Sequence, residues 1–69
     1  MDKNKLLYFI KDKGYKVEEF CNAVGLSKGK LYRRIKNNSF TIQDIWSIGK
    51  FLNLTLEDIN SIFFADYVS

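Results

Sequence analysis

The chain contains no proline and no histidine, one cysteine, one tryptophan and four glycines among its 69 residues. Each scarcity excludes something. With no proline, no ring is present to break a helix interior, so helical stretches are permitted throughout. With no histidine and Cys21 alone, neither a disulfide nor a structural zinc site can brace the fold. The same lack leaves no imidazole to activate a nucleophile or to serve as a general base near neutral pH. Cys21 therefore reads as small core filler, the carboxylates are scattered, and the expectation is a non-enzyme without cofactor or metal. Long apolar runs are missing as well: Leu6 to Ile10 stops at Lys11, too short for a signal peptide's apolar region or a membrane span. A cytoplasmic location without membrane contact is expected. On that expectation the glycosylation-like triplets Asn37-Asn38-Ser39 and Asn53-Leu54-Thr55 carry no meaning.

What is present is enough for one small core. Apolar residues make up 46% of the chain and aromatics 16%, generous for a length that allows a single domain, here residues 1–69. The net charge is only +3, but it is unevenly placed. Residues 1–36 hold ten Lys or Arg against four acids, a balance of +6, whereas residues 37–69 hold Lys50 against Asp44, Glu57, Asp58 and Asp66, a balance of −3. A basic half suits a polyphosphate partner, because each neutralised phosphate releases counterions and adds affinity independent of sequence.

Apolar spacing predicts an all-α fold of five short helices, since strand alternation is nowhere sustained. Leu6, Leu7, Phe9 and Ile10, closed by Lys13 and Gly14, mark a first helix with a glycine cap. Val17, Phe20, Cys21 and Val24 form the stripe of a second, which Gly25 stops. Ser27 offers an N-cap hydroxyl to a third, whose Leu31 and Ile35 make a narrow seam four residues apart. Thr41 with Asp44, and Thr55 with Asp58, are short capping boxes opening a fourth and a fifth helix. In the fourth, Ile42, Ile45, Trp46, Ile48, Gly49 and Leu52 make a broad apolar face; in the fifth, Leu56, Ile59, Ile62 and Phe63 supply a stripe, and Trp46, Phe51, Phe63 and Phe64 are expected in the core or a dimer interface and not in a ligand box.

Between the second and third helices stand only Gly25 and Leu26 before the Ser27 cap. A connection so short, containing glycine, suits two helices crossing near 90 to 120°, which is the helix-turn-helix, here about residues 17–37. Placing Leu31 and Ile35 inward turns Gly29, Tyr32, Arg33 and Lys36 outward. Arg34 falls nearer the buried side, where Glu18 or Glu19 is its expected partner. Gly25-Leu26-Ser27-Lys28-Gly29-Lys30-Leu31 fails as a phosphate-binding loop on three counts: glycine spacing, the missing Ser or Thr after the lysine, and the missing preceding strand.

The segment from Val17 to Ile35, VEEFCNAVGLSKGKLYRRI, resembles the helix-turn-helix of phage repressor and Cro proteins. The resemblance extends through Phe40-Thr41-Ile42 and the Phe51 to Ala65 region, which is similar to small Cro-like proteins of phages infecting low-GC Gram-positive bacteria. Cys21 stands where the family usually has Ala, Ile35 lies one place late, and Val17 replaces a frequent Gln. The resemblance implies a lambda-repressor-like domain, a nucleoid-associated regulator in a bacterial host, and a double-stranded DNA operator as partner. It implies base contacts from Lys28, Gly29, Tyr32 and Arg33, and phosphate contacts from Ser27, Lys30, Lys36, Asn37, Asn38 and Thr41. One recognition helix reads few base pairs, so a homodimer is expected at least on DNA. Its interface is expected at Ile62, Phe63, Phe64, Tyr67 and Val68, where apolar residues crowd near the C-terminus. The alternative is a protein-binding antirepressor or inhibitor on the same scaffold, with a repressor or other protein as partner.

Overall fold

A computed structural model describes residues 1–67. Five helices follow one another: α1 (Lys3–Asp12), α2 (Val17–Val24), α3 (Lys28–Asn37), α4 (Ile42–Leu52) and α5 (Leu56–Phe63), with no strand among the described residues. No described helix is long and apolar enough to cross a membrane.

Local chemistry accounts for where each helix starts. Asp2, Ser27, Thr41 and Thr55 each accept, through a side-chain oxygen, the amide three residues on, satisfying a donor that the first helical turn leaves open. Asp44 and Asp58 complete reciprocal boxes by accepting the Thr41 and Thr55 amides, each at 3.1 Å. Helix ends are as local. After α1, Gly14 takes φ +88° and the Tyr15 amide reaches back to the Ile10 carbonyl at 3.1 Å. Asn38 and Asn53 serve α3 and α4 in left-handed conformations, which Asn tolerates better than most residues.

The core collects one or two positions per turn from every helix: Leu6 and Ile10, Phe20 and Cys21, Leu31 and Ile35, Ile48 and Leu52, Ile62 and Phe63, with Leu26 from the turn. Phe51 joins two sides of this core, its ring 4.6 Å from Tyr15 and 6.0 Å from Phe20. Gly49 lets α5 close on α4, because a methyl there would stand 3.1 Å from Ile59 Cδ1. The chain ends meet as well. The Asp2 amide donates to the Ile62 carbonyl at 2.7 Å, and the Met1 amine pairs with Asp66 at 2.9 Å.

One expectation is corrected here by burial. Ile62 and Phe63 are core residues, 0% and 4% exposed, so they cannot face a partner. Phe63 is held by Phe40, edge to face at 5.3 Å. Of the expected interface, Phe64 is half-buried and Tyr67 exposed, while Val68 lies outside the described residues. The buried faces of α4 and α5 are narrower than their apolar patterns, since Ile42 (79% exposed), Trp46 (66%) and Leu56 (74%) stand in solvent. At ~100° per residue the apolar arc of α4 spans about 160°, more than its neighbours cover, and its Ile42–Trp46 edge is left out.

Candidate nucleic-acid interface

The turn between α2 and α3 has the conformation its residues call for. Gly25 adopts φ +75°, where a Cβ would be strained. The Leu26 amide donates to the Cys21 carbonyl at 3.0 Å, and the Leu26 side chain enters the core beside Cys21. Cys21 occupies the close helix contact as filler. Burial pushes its thiol pKa up, opposed by nearby Lys28 and assisted by Glu18, so it is held as the neutral thiol.

Ser27 Oγ accepts the Lys30 amide at 3.2 Å and starts α3. Leu31 and Ile35 then point into the core, and their burial fixes the rotation of the helix. Lys28, Gly29, Lys30, Tyr32, Arg33, Lys36 and Asn37 are left exposed on α3, followed by exposed Asn38. Arg34 and Lys36 in the last turn also oppose the negative end of the helix dipole.

Charge pairing separates these cations. Three ion pairs occur among the described residues: Met1 amine with Asp66, Lys28 with Glu18 at 3.9 Å, and Arg34 with Asp44. The Lys28–Glu18 pair is exposed on both sides and holds Lys28 only weakly. Lys30, Arg33 and Lys36 enter none of the three, so the outward side of α3 carries uncompensated positive charge. Arg34 corrects an expectation: its guanidinium donates to Asp44, not to Glu18 or Glu19. Glu18 lies by Lys28, and Glu19 accepts the Lys16 amide at 2.9 Å to open α2. Because Asp44 also accepts the Thr41 amide, the Arg34 pair ties α3 to the first turn of α4. Thr41 thus donates its amide within the protein. The amides of Ile42 and Gln43, next in the first turn, have no acceptor within the helix and remain for an anion.

One cation was missed in the sequence. Lys3 of α1 places Nζ 5.8 Å from the Tyr32 ring centre, at the edge of the α3 face. Lys3 and Lys5 occupy the first turn of α1, where the helix dipole disfavours positive charge and Asp2 alone offsets it. Periodicity carries no information about that placement; the unfavourable lysines at a helix start were the available signal.

A family model described as a Cro/C1-type HTH DNA-binding domain matches residues 5–64, which span all the elements above apart from the first two residues of α1. The chain belongs to this family. No curated protein and no solved structure gives a significant match. The α2–turn–α3 unit lies within the matched residues, and the family model describes a DNA-binding domain.

Proposed function

We propose that this Cro/C1-type domain is a sequence-specific transcriptional regulator of the phage repressor or Cro type, which binds a double-stranded operator as a homodimer. The observation that carries this reading is the outward face of α3, with Lys30, Arg33 and Lys36 exposed and outside any ion pair among the described residues. Inserted into the major groove, α3 sets Lys28, Gly29, Tyr32 and Arg33 against base edges. Arg33 is the main reader, because a guanidinium pairs bidentately with guanine O6 and N7. Ser27, Lys30, Lys36, Asn37, Asn38 and Thr41 meet phosphates, as does Lys3, and these contacts fix register without reading sequence. No step of this reading is catalytic.

Salt titration of binding to duplex DNA tests it. About five to eight phosphate contacts per dimer give a slope of roughly −4.5 to −7 in log affinity against log salt. A flat response overturns the reading. Selection from a random duplex pool then reports the operator, its symmetry and its half-site spacing. The alternative, a protein-binding antirepressor or inhibitor, has one observation in its favour: the apolar surface that α4 and α5 expose.

A further inference from the structure

Arg34 is the one cation of α3 that the DNA-binding reading leaves unused. Its guanidinium donates to the Asp44 carboxylate across the α3–α4 connection, and its carbonyl accepts the Ser39 amide at 3.0 Å. Both side chains of the pair are mostly covered, 27% exposed for Arg34 and 17% for Asp44, whereas the Lys28–Glu18 pair stands in water at 57% and 78%. Salt screens a covered pair much less than an exposed one.

At ~100° per residue, Arg34 lies about 80° from the Leu31–Ile35 seam, on the flank of α3 that it shares with Lys30 one turn before and Asn37 one turn after. The Arg34–Asp44 bond brings the opening of α4 to that same flank. Lys30, Asn37, Asn38 and Thr41 are all proposed phosphate ligands, so a carboxylate stands among the groups assigned to the DNA backbone. Left bare, an acid there repels the phosphates and competes with them for Lys30.

We propose that Arg34 is a positioning residue for DNA binding, an inference that rests on the DNA-binding reading. It touches no nucleotide; it neutralises Asp44, and so lets Lys30, Asn37, Asn38 and Thr41 take up backbone phosphates. Three observations carry this role. First, the fold needs the acid. Asp44 accepts the Thr41 amide at 3.1 Å while its own amide donates to Thr41 Oγ at 3.0 Å, and a carboxylate in the first turn suits the positive end of the α4 dipole. An acid required for folding thus lies where the ligand is an anion, and only a cation that stays in place resolves the conflict. Second, Arg34 is such a cation: its charge is permanent, and its carbonyl and guanidinium are both tied to the α3–α4 connection. Turning it toward a phosphate breaks the pair and bares Asp44 beside that phosphate. Third, Lys30 enters no ion pair among the described residues, so with Asp44 occupied by Arg34 it stays available to DNA.

Binding of the full-length protein to a random-sequence duplex, followed across salt concentrations, separates this role from a direct phosphate contact. Arg34→Met keeps an apolar stem and bares Asp44; it should bind about 10-fold more weakly near physiological salt, because like charges then face each other across the interface. Asp44→Asn, whose carbonyl can still accept the Thr41 amide, should bind about two- to fivefold more tightly. The Arg34→Met/Asp44→Asn double variant carries the wild-type net charge, and should return to within about twofold of the wild-type affinity with the wild-type salt slope. All are compared at a temperature where circular dichroism shows them folded. The double variant lacks the ion pair, so a merely structural role predicts affinity that follows the thermal midpoint and no rescue. A double variant as weak as Arg34→Met, with a salt slope lower by about one per monomer, overturns the proposal and makes Arg34 a phosphate ligand. Arg34→Met binding like the wild type overturns it too. Should Arg34→Met fail to fold, the double variant still decides: affinity within about twofold of the wild type supports the masking role, and a loss of about 10-fold overturns it. A wild type that binds no duplex at any salt removes the DNA-binding reading and this inference with it, whereas wild-type binding with an unrescued double variant removes this inference alone.

Discussion

α3 and α4 are near twins in length, ten and eleven residues, and each buries a narrow seam, yet they treat the rest of their surface in opposite ways. Outside Leu31 and Ile35, α3 is polar and mostly basic, with only Tyr32 as a large exposed apolar body. Outside Ile48, Gly49 and Leu52, α4 keeps Ile42 and Trp46 in water. Both choices spend surface on something other than folding. The basic side of α3 adds self-repulsion that a free monomer does not need, and the apolar edge of α4 adds solubility risk. The difference teaches that the buried seam of a three-turn helix does not dictate the rest of its surface, which is basic on α3 and partly apolar on α4.

The sharpest way to break this contrast is to exchange what each helix buries for what it exposes. Leu31→Ala removes a fully buried side chain and is expected to lower stability by about 2–5 kcal/mol. A domain of this length has a total of about 3–10 kcal/mol, so the variant should lose a large share of its stability. Ile42→Ala, of similar size but on the exposed edge, should stay within about 0.5 kcal/mol. Denaturant midpoints of the two variants check the pair; equal losses would erase the division between seam and exposed surface.

A smaller effect separates the roles within α3 itself. Arg33→Ala is expected to weaken operator binding by about 1–3 kcal/mol and to relax preference at one base pair per half-site. Lys36→Ala should weaken all duplexes alike and lower the salt slope by about one per monomer. Identical behaviour across operators would mean that the face does not divide into readers and anchors.

How much of this was legible follows from how local each signal is. Ser27, Thr41 and Thr55 mark helix starts because a cap involves residues three apart, and Gly14 and Gly25 mark ends because the left-handed turn is a property of one residue. The helix-turn-helix was legible for the same reason, its corner being Gly25, Leu26 and Ser27. α1 begins at Lys3, earlier than its first apolar residue, because Asp2 caps it and two lysines precede Leu6. What periodicity could not give is the width of a buried face. It puts Ile42, Trp46 and Leu56 on the same stripes as core residues, although no neighbouring helix reaches them. It also puts Ile62 and Phe63 on the α5 stripe, and only the crowding of apolar residues near the C-terminus suggested an interface there, although Phe40 and the N-terminal segment cover them. The Arg34–Asp44 pair was hidden likewise, since its partners are ten residues apart across a loop. The family match speaks for DNA binding but not for these placements.

The smallest expected effect tests whether one residue of α3 serves the partner at the expense of the fold. Gly29 sits near the start of α3 with ordinary helical φ, and a methyl built on it meets nothing within 4 Å. Neither backbone conformation nor packing within the monomer therefore requires glycine there. Glycine inside a helix is less favourable than alanine by about 0.5–1 kcal/mol. Gly29→Ala should accordingly raise stability by that amount, or about 2–8 °C in thermal midpoint for a domain of this size. If glycine is present because the α3 backbone approaches DNA closely, the same methyl should weaken operator binding by about 1 kcal/mol, close to fivefold. Opposite signs from one substitution are the signature of a position given over to the partner. A Gly29→Ala protein that is more stable and binds as tightly as the wild type would remove Gly29 from the interface and leave base reading to Lys28, Tyr32 and Arg33.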